Sequence, residues 1–224
     1  MNAREQGIAR LSNLQIGDTH PEFLVYRSLL SDLKKASAYA HGPLLDLGCG
    51  NKPYESMFAP HVCEHVGCDV VQSSEHRVDV ICQANELAFE DATFDTILST
   101  QVIEHVADHG GLISEAYRLL RKNGVFIVSG PMYWPLHEEP YDFFRFTEHG
   151  FRFLLESAGF SVVEILQNGG QWALCGQVLI HSIEGTRLAR RFVIRAINKL
   201  FAYLDDRRPI KHNTMNYVIV ARKE

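Results

Sequence analysis

The sequence predicts an α/β fold, in which helices cover both faces of a parallel β-sheet. Short apolar runs alternate with stretches of helical spacing from about residue 44 onward. The first run, 44–47, stops at Gly48 and Gly50, and the second ends in the carboxylate of Asp69. Strands that end abruptly in glycines or acids are typical of the ligand-binding edge of such sheets. A ligand site is therefore expected where the first two strands end.

The other elements follow from periodicity and from helix and strand breakers. Helical spacing predicts a helix over 21–40, behind a polar arm, and Pro60 ends a short helix at 53–59. Strands are predicted at 65–70, 77–84, 94–99, 125–129, 160–166 and 217–221. Between them, helices are predicted through 112–120, ending at Gly124, and at 151–158. This order of elements is that of an α/β sheet with short connections.

The composition is that of an ordinary globular protein. The chain has 224 residues, 46% hydrophobic and 22% charged, which suits one α/β domain with an elaboration. Its net charge of −5 argues against a general nucleic-acid-binding surface. The five cysteines form no C-x-x-C pair, the N-terminus is polar, and no apolar run is long enough to cross a bilayer. A reduced, cytoplasmic protein is expected.

The glycine turn after the first strand narrows the class of ligand. Glycines at 48 and 50 permit positive φ and close approach to a ligand, and the helix start that follows offers amide donors. A dinucleotide fingerprint, G-x-G-x-x-G, would need a third glycine where Pro53 stands. With Asp46, the turn has the form D-x-G-x-G, which resembles motif I of the class I S-adenosylmethionine (SAM)-dependent methyltransferases. A carboxylate suits the free ammonium of SAM, whereas the alternative is a turn that binds nothing.

Downstream segments extend the resemblance. Asp69 lies 19 residues beyond Gly50, the separation that brings an acid onto the ribose hydroxyls of a nucleoside, although a solvated strand-end aspartate has the same position. The segment 83–95 resembles the methyltransferase pattern D-A-x-x-L-P-F-x-D-x-x-F-D, with Gln83 in place of aspartate and Ala88 in place of proline. The Gln83 side chain can still accept a hydrogen bond from the adenine amine. The runs V-I-E-H-V from 102 and L-L-R-K-N-G-V-F-I-V from 119 are also similar to this family.

The resemblance covers residues 44–131 and implies a Rossmann-like seven-stranded methyltransferase sheet with helices on both faces. It implies SAM as cofactor and a single domain over 1–224, with an arm and helix to residue 40, a SAM-binding core at 41–166, a helical insertion between strands 6 and 7 at 167–215, and the last strand at 216–224. The residues that it implies for the cofactor are Asp46, Gly48, Cys49, Gly50, Lys52, Asp69, Val70, Gln83, Ala84 and Thr100.

The loop 132–147 after the fifth strand holds the candidate catalytic residues. Aromatic side chains alternate there with His137, Asp142 and Arg145. His137 is the candidate general base, because imidazole exchanges a proton near neutral pH, and the alternative is a surface histidine beside two glutamates. Arg145 either anchors an anionic acceptor or pairs with Asp142, and both interpretations are open.

A metal-assisted scheme is the alternative to a general base. Small-RNA 2′-O-methyltransferases and some quinone-precursor O-methyltransferases, which resemble this layout, bind a divalent ion through E-x-x-E-H and a later histidine. Glu104, His105 and His137 match that pattern, but Gln101 replaces the first glutamate. Because the loss of an anionic ligand weakens a site for a hard cation, we predict no metal ligands.

Residues that follow the predicted SAM-binding segments indicate the class of methyl acceptor. The stretch 142–160 resembles D-x-x-R-x-T-x-x-G-x-x-x-L-L-x-x-A-G-F, found in methyltransferases of bacterial glycan and lipid-linked sugar pathways. Within the insertion, helices are predicted near 172–183 and 186–204, and the second has a basic stripe at every fourth position from Arg187 to Lys199. The segment 187–211 contains eight basic residues and two aspartates, so its local net charge is +6. This positive charge favours an anionic acceptor or peripheral contact with the inner face of the membrane. The alternatives are an exposed polar face of the helix and a homodimer interface.

These residues are compatible with three functions to different degrees. The leading hypothesis is a SAM-dependent O-methyltransferase that acts on a sugar, a glycan or a lipid-linked intermediate. The alternative is a non-catalytic protein that binds SAM or S-adenosylhomocysteine as a regulator or scaffold. A nucleotide-sugar oxidoreductase is disfavoured by Pro53 and Asp46.

Overall fold

A computed structural model describes residues 16–83, 87–188, 190–210 and 212–224. Its strands, as numbered in this article, are β1 (Pro43–Leu47), β2 (Glu64–Asp69), β3 (Val80–Ile81), β4 (Phe94–Thr100), β5 (Leu120–Pro131), β6 (Phe160–Asn168) and β7 (Asn216–Lys223). The helices are α1 (Phe23–Ala36), α2 (Glu55–Phe58), α3 (His109–Leu119), α4 (Glu148–Ser157), α5 (Gln171–Ile183) and α6 (Arg191–Arg207).

The strands form one seven-stranded sheet in the order β3-β2-β1-β4-β5-β7-β6. The first five strands in the chain pair in parallel, and β7 is antiparallel to both β5 and β6. The strand order reverses at β1, which lies between β2 and β4. A reversal of this kind opens a crevice at the carboxyl ends of the strands, so the sheet places a ligand site after β1. The predicted seven-stranded α/β sheet is confirmed.

Hydrophobic cores lie on both faces of the sheet because buried strands alternate their side chains. Leu45 and Leu47 pack in a cluster with residues of α3 and α4, such as Ile113 and Phe151. Leu44 packs in a second cluster, with α1 and with Phe58 of α2. Almost every residue of β1 is therefore buried, as its continuous apolar run indicates.

The insertion between β6 and β7 forms two helices that pack on the first helix. Leu24 and Val25 of α1, Ile180 of α5 and Ile194 of α6 share a third apolar cluster. Inside it, Gly176 allows close packing, since a Cβ there would lie 2.7 Å from the side chain of Phe201. None of the described helices has the length and hydropathy needed to span a bilayer.

Three predicted boundaries are wrong. Helix α3 ends at Leu119 rather than at Gly124, because residues 120–124 already belong to β5 and Leu120 pairs with Phe94. The carbonyl of Leu120 accepts a hydrogen bond from Lys223 Nζ at 2.8 Å, a partner more than 100 residues away. The third strand has only two residues, and α6 begins at Arg191, after a turn at Gly185, instead of near 186.

Candidate active site

A cavity of about 630 Å³ lies at the carboxyl ends of β1, β2 and β4. This volume is typical of small-molecule and cofactor sites. Its lining contains eight of the ten residues predicted to bind the cofactor: Asp46, Gly48, Cys49, Gly50, Asp69, Val70, Gln83 and Thr100. Ala84 lies outside the described residues, and Lys52 is not part of the lining.

The turn after β1 requires glycine for two reasons. Gly48 has a φ of +71°, in the left-handed region, and a Cβ at this position would lie 2.3 Å from Cγ2 of Val102. The backbone amides of Gly48 and Cys49 both donate to the carbonyl of Cys68, at 2.8 and 3.0 Å. These bonds tie the turn to β2 and hold its backbone against the cavity.

Asp69 at the end of β2 is fixed by backbone amides. Its carboxylate accepts hydrogen bonds from Gly50 N at 3.0 Å and from Val70 N at 2.7 Å. Burial raises its pKa, and these amide donors act against that rise. Asp69 therefore joins the glycine turn to the second strand and still lines the cavity.

Asp46 and Lys52 are themselves buried, and each has a charged or polar partner within the protein. The Asp46 carboxylate lies 3.0 Å from His65 Nε2, and burial raises the pKa of Asp46. Lys52 Nζ turns away from the cavity, donating to Asp79 at 2.6 Å and to the carbonyl of His65 at 2.8 Å. The structure thus gives Lys52 a role in joining the turn to the segment before β3, in place of a contact with the cavity.

Sequence reasoning did not assign several residues that line the cavity. They come from the turn after β1, from the segment after β4 and from the loop after β5: Asn51, Pro53, Tyr54, Gln101, Val102, His105, Asp108, Glu138, Tyr141 and Phe143. The run that begins at Gln101 directly follows a strand end, and that position is the signal that could have identified Gln101 and His105 as lining residues.

A second cavity, of about 40 Å³, adjoins the first. The two share Gln101, His105 and Glu138 in their linings. Tyr26 of α1 and Trp134 of the loop after β5 contribute aromatic rings to the smaller one. Its volume suits one hydroxyl group or one water molecule. The shared wall is therefore where a group on an acceptor would meet the larger cavity.

Three side chains with ligand atoms meet beside this wall. The candidate ligand atoms of Glu104, His105 and His137 lie within 4.8 Å of one another, and all three residues line the smaller cavity. The Glu104 side chain is buried, and its Oε2 has no hydrogen-bond partner among the described residues. Burial raises the pKa of Glu104 to about 8. Its carboxyl group therefore gives up its proton less readily than an ordinary glutamate does.

Both histidines in the cluster are oriented by backbone carbonyls. His105 Nδ1 lies 2.9 Å from the carbonyl of Tyr141, and His137 Nδ1 lies 3.2 Å from that of Pro135. Because a carbonyl only accepts, each Nδ1 is the donor in these contacts, and Nε2 is the ring nitrogen left to act as an acceptor. The Asp142 carboxylate lies 3.3 Å from the His137 Nδ1. The arrangement can accept a proton at Nε2 and stabilise the resulting charge.

Asp142 and Arg145 form a salt bridge inside the loop. Arg145 donates to both carboxylate oxygens, at 2.6 and 2.7 Å, and also to the carbonyls of Trp134, Pro135 and Phe144. Of the two interpretations of Arg145, the structure therefore shows the one in which it pairs with Asp142. The His137 backbone amide donates to Asp142 as well, at 3.1 Å. These two residues hold the loop in which His137 is placed.

Comparison with known proteins agrees with this geometry. Residues 45–128 match the family described as the methyltransferase domain. That segment contains most of β1, all of β4, the glycine turn, Asp69 and most of the cavity lining. This part of the chain is therefore similar to a methyltransferase domain.

Curated relatives of this segment include SAM-dependent methyltransferases, which supports SAM as the ligand of the larger cavity. A probable SAM-dependent methyltransferase from Mycolicibacterium smegmatis is 34% identical over 138 residues, which are 55% of this chain and 53% of that protein. A ubiquinone biosynthesis O-methyltransferase from Azorhizobium caulinodans is 35% identical over 98 residues, 38% of this chain and 39% of that protein. The chain thus matches about half or less of the length of these relatives.

A solved structure shows the same fold over most of the chain. The crystal structure of a SAM-dependent methyltransferase from Archaeoglobus fulgidus superposes with a TM-score of 0.59, at 19% identity, covering 90% of this chain and 97% of that one. At this identity the likeness concerns the fold alone.

The Asp69→Ala variant should bind SAM about 10- to 100-fold more weakly. The substitution removes the acceptor expected for the ribose hydroxyls, and it frees the amides of Gly50 and Val70 that the carboxylate now fixes. Isothermal titration calorimetry with SAM measures the change. Asp91→Ala, which removes an exposed carboxylate outside the cavity lining, is the matched control and should bind normally. A change below threefold in Asp69→Ala would contradict the assignment.

Proposed function

We propose that the protein transfers the methyl group of SAM to a hydroxyl group of a sugar, a glycan or a lipid-linked intermediate. The meeting of two cavities at the cluster of Glu104, His105 and His137 supports this reaction. Methyl transfer to a hydroxyl requires a group that removes the proton as the new bond forms. A methyltransferase acting on a strong neutral nucleophile would have less need of such a cluster.

In this mechanism the chain aligns two reactants and accepts one proton. The larger cavity would hold SAM, and the acceptor hydroxyl would lie at the shared wall beside Gln101 and His105. As the bond from the hydroxyl oxygen to the methyl group forms, the sulfur–methyl bond would break, with S-adenosylhomocysteine as the leaving group. His137 Nε2 takes the proton, while Asp142 next to Nδ1 stabilises the imidazolium. Phe143 N donates to the carbonyl of Glu104 at 2.9 Å, which keeps the loop over the site and excludes water. Proximity and alignment supply most of the remaining acceleration.

The character of the smaller cavity and the named relatives support the choice of acceptor. The smaller cavity, with the aromatic rings of Tyr26 and Trp134 in its lining, has room for the hydroxyl group of an acceptor while the rest of the acceptor stays outside it. The relative from Azorhizobium caulinodans is named for O-methylation in ubiquinone biosynthesis, which is a reaction at a hydroxyl group. The resemblance of residues 142–160 to methyltransferases of glycan and lipid-linked sugar pathways supports the sugar class. Five free cysteines are compatible with action in the cytoplasm.

Activity is expected to survive the removal of divalent metals. An ion bound by Glu104, His105 and His137 would need the charged form of Glu104, which the burial of this side chain disfavours. At position 101 the chain offers a neutral amide, which donates to Ser129 Oγ at 3.1 Å. Turnover should therefore stay within about twofold after dialysis against EDTA, as measured by methyl transfer from labelled SAM. Loss of turnover with EDTA, and its recovery on addition of Zn²⁺ or Mn²⁺, would favour the metal-assisted scheme instead.

A labelled-methyl transfer assay tests the function itself. Purified protein and methyl-labelled SAM are incubated with fractionated glycans, lipids and small metabolites of the source cell, and label is followed into each fraction. We expect label in an alkali-stable methyl ether of a sugar-containing fraction. Label in a protein or nucleic-acid fraction, or in an N-methyl group, would refute this acceptor. Tight binding of SAM without transfer to any fraction would support the non-catalytic alternative.

A further inference from the structure

The inner face of helix α6 packs against the rest of the protein. Ile194, Ile197 and Phe201 pack with α1 and α5 in the third apolar cluster. The Asn198 side chain is buried and donates to the carbonyls of Asp18 and His20, both at 2.9 Å. These contacts fix the rotation of the helix about its axis, and therefore fix which side chains face outward.

The outer face of α6 is also apolar, contrary to the usual pattern of a surface helix. Phe192, Leu200 and Tyr203 are 67%, 54% and 55% exposed, and their spacing of eight and three residues places them on one side. Leu188, just before the helix, is 62% exposed. An exposed apolar stripe in a soluble protein marks a site of contact with another surface. These four side chains are called the outer stripe below.

The charges around the outer stripe are segregated by sign. The cations beside it are exposed: Arg187, Arg190, Arg191, Arg195, Lys199 and Arg207. The nearby acids are engaged on the protein side. Asp205 accepts from the amides of Gly170 and Ala173 at the start of α5, at 3.0 and 3.2 Å, and Asp206 pairs with Arg27 at 2.6 Å. The helix therefore presents apolar side chains among positive charges.

Three of these arginines have no acidic partner in the part of the chain that the structure describes. Arg195 and Lys199 share Asp18, at 3.0 and 3.6 Å, whereas no ion pair is formed by Arg187, Arg190 or Arg191. They cluster at the N-terminal end of α6, beside Leu188 and Phe192. Positive charge concentrated next to exposed apolar side chains is the pattern of helices that lie in an anionic membrane interface.

We propose that the outer stripe of α6 docks the protein on the surface of an anionic phospholipid bilayer. Phe192 and Leu200 enter the boundary between headgroups and acyl chains, and the arginines contact lipid phosphates. A second copy of the chain fits this face less well, because a two-fold interface through the stripe would bring like-charged clusters together.

The helix pair that carries the outer stripe also contacts the smaller cavity, and this link rests on the proposed function. The His181 ring of α5 packs against Trp134 with ring centroids 4.9 Å apart, and Trp134 lines that cavity. Helices α5 and α6 share the third apolar cluster with α1. A lipid-linked acceptor in the docked bilayer would therefore meet the same helix pair that contacts the smaller cavity.

Vesicle flotation tests the docking without any acceptor. The full chain is mixed with vesicles of phosphatidylcholine containing about 30% phosphatidylglycerol, or with phosphatidylcholine alone. We expect flotation with the anionic vesicles at low salt and its loss at high salt. The F192S/L200S variant should lower the bound fraction about tenfold, and R187E/R191E should abolish the preference for anionic lipid. Phe153→Ser, at a side chain on α4 that is 69% exposed, is the matched control and should float normally.

Circular dichroism and SAM titration on the same variants separate docking from folding and from methyl transfer. Both should be unchanged in F192S/L200S, because these side chains are exposed and lie outside both cavity linings. Wild-type protein that stays with the pellet, or a variant that floats as well as Phe153→Ser, would overturn the proposal. So would light scattering that shows a wild-type dimer and a monomeric F192S/L200S variant, which would assign the stripe to a second copy. Failure of the methyl-transfer assay alone leaves flotation unaffected.

Discussion

Replacement of His137 by alanine is expected to lower the rate of methyl transfer about 100-fold or more, with SAM affinity unchanged within about twofold. His137 lines the smaller cavity and not the larger one, so its loss should affect the proton and not the cofactor. A single-turnover assay measures the rate of methyl transfer, and a calorimetric titration of the same protein measures its affinity for SAM. A rate decrease of this size is what a positioned general base contributes.

Two further variants sharpen this test. His137→Asn retains a side-chain polar group near Asp142 but has no basic nitrogen, so it should be as slow as alanine if proton removal is the role. His149→Ala, at an exposed histidine on α4, should keep the normal rate. Full turnover in His137→Ala would exclude the general-base role and would direct attention to Glu104 and His105.

The second large effect is on stability, through Asp142. The Asp142→Asn variant should have a free energy of unfolding about 2 to 4 kcal/mol lower than the wild-type protein, because it leaves the half-buried Arg145 without its charge partner. The side chain of Asp142 is only 1% exposed, so solvent screens the pair little. Urea denaturation measures the loss. Asp206→Asn, which removes an exposed partner of Arg27, should have a much smaller effect.

The pH dependence of this stability has a definite sign. Burial by itself would raise the pKa of Asp142, but hydrogen bonds from Arg145 and from the His137 amide outweigh it and lower the pKa to about 2. The group thus contributes stability that is fully present above about pH 4 and is lost as the pH falls toward 2. The wild-type protein should lose stability steeply in that window, and Asp142→Asn should lose less. Equal slopes in the two proteins would contradict this assignment.

Much of the donor site could be predicted because it depends on residues close in sequence. Asp46, Gly48 and Gly50 belong to one turn, and the distance from Gly50 to Asp69 is set by a single strand, helix and strand. Eight predicted cofactor residues accordingly line one cavity. Lys52 is the exception, since its direction depends on Asp79, 27 residues further on, which no local pattern reveals.

The acceptor side depends on contacts between distant segments. His105 and His137 lie 32 residues apart, yet their rings are 4.7 Å apart because carbonyls of the loop after β5 orient both. Helical spacing predicted α6, but it could not tell which of its two apolar sides packs on α1. Only the packing of Ile194 and Phe201 makes that choice, and it leaves Phe192 outside.

The sequence by itself therefore determined the sheet, the glycine turn and the acid on which the resemblance to methyltransferase domains rests. These features follow from backbone conformation and from the alternation of apolar residues, which are local properties. The tertiary structure decided the wall between the cavities, the salt bridge of Arg145 and the outer face of α6. Each of these depends on where side chains from separate elements point, and that direction is set by hydrogen bonds and packing across the fold.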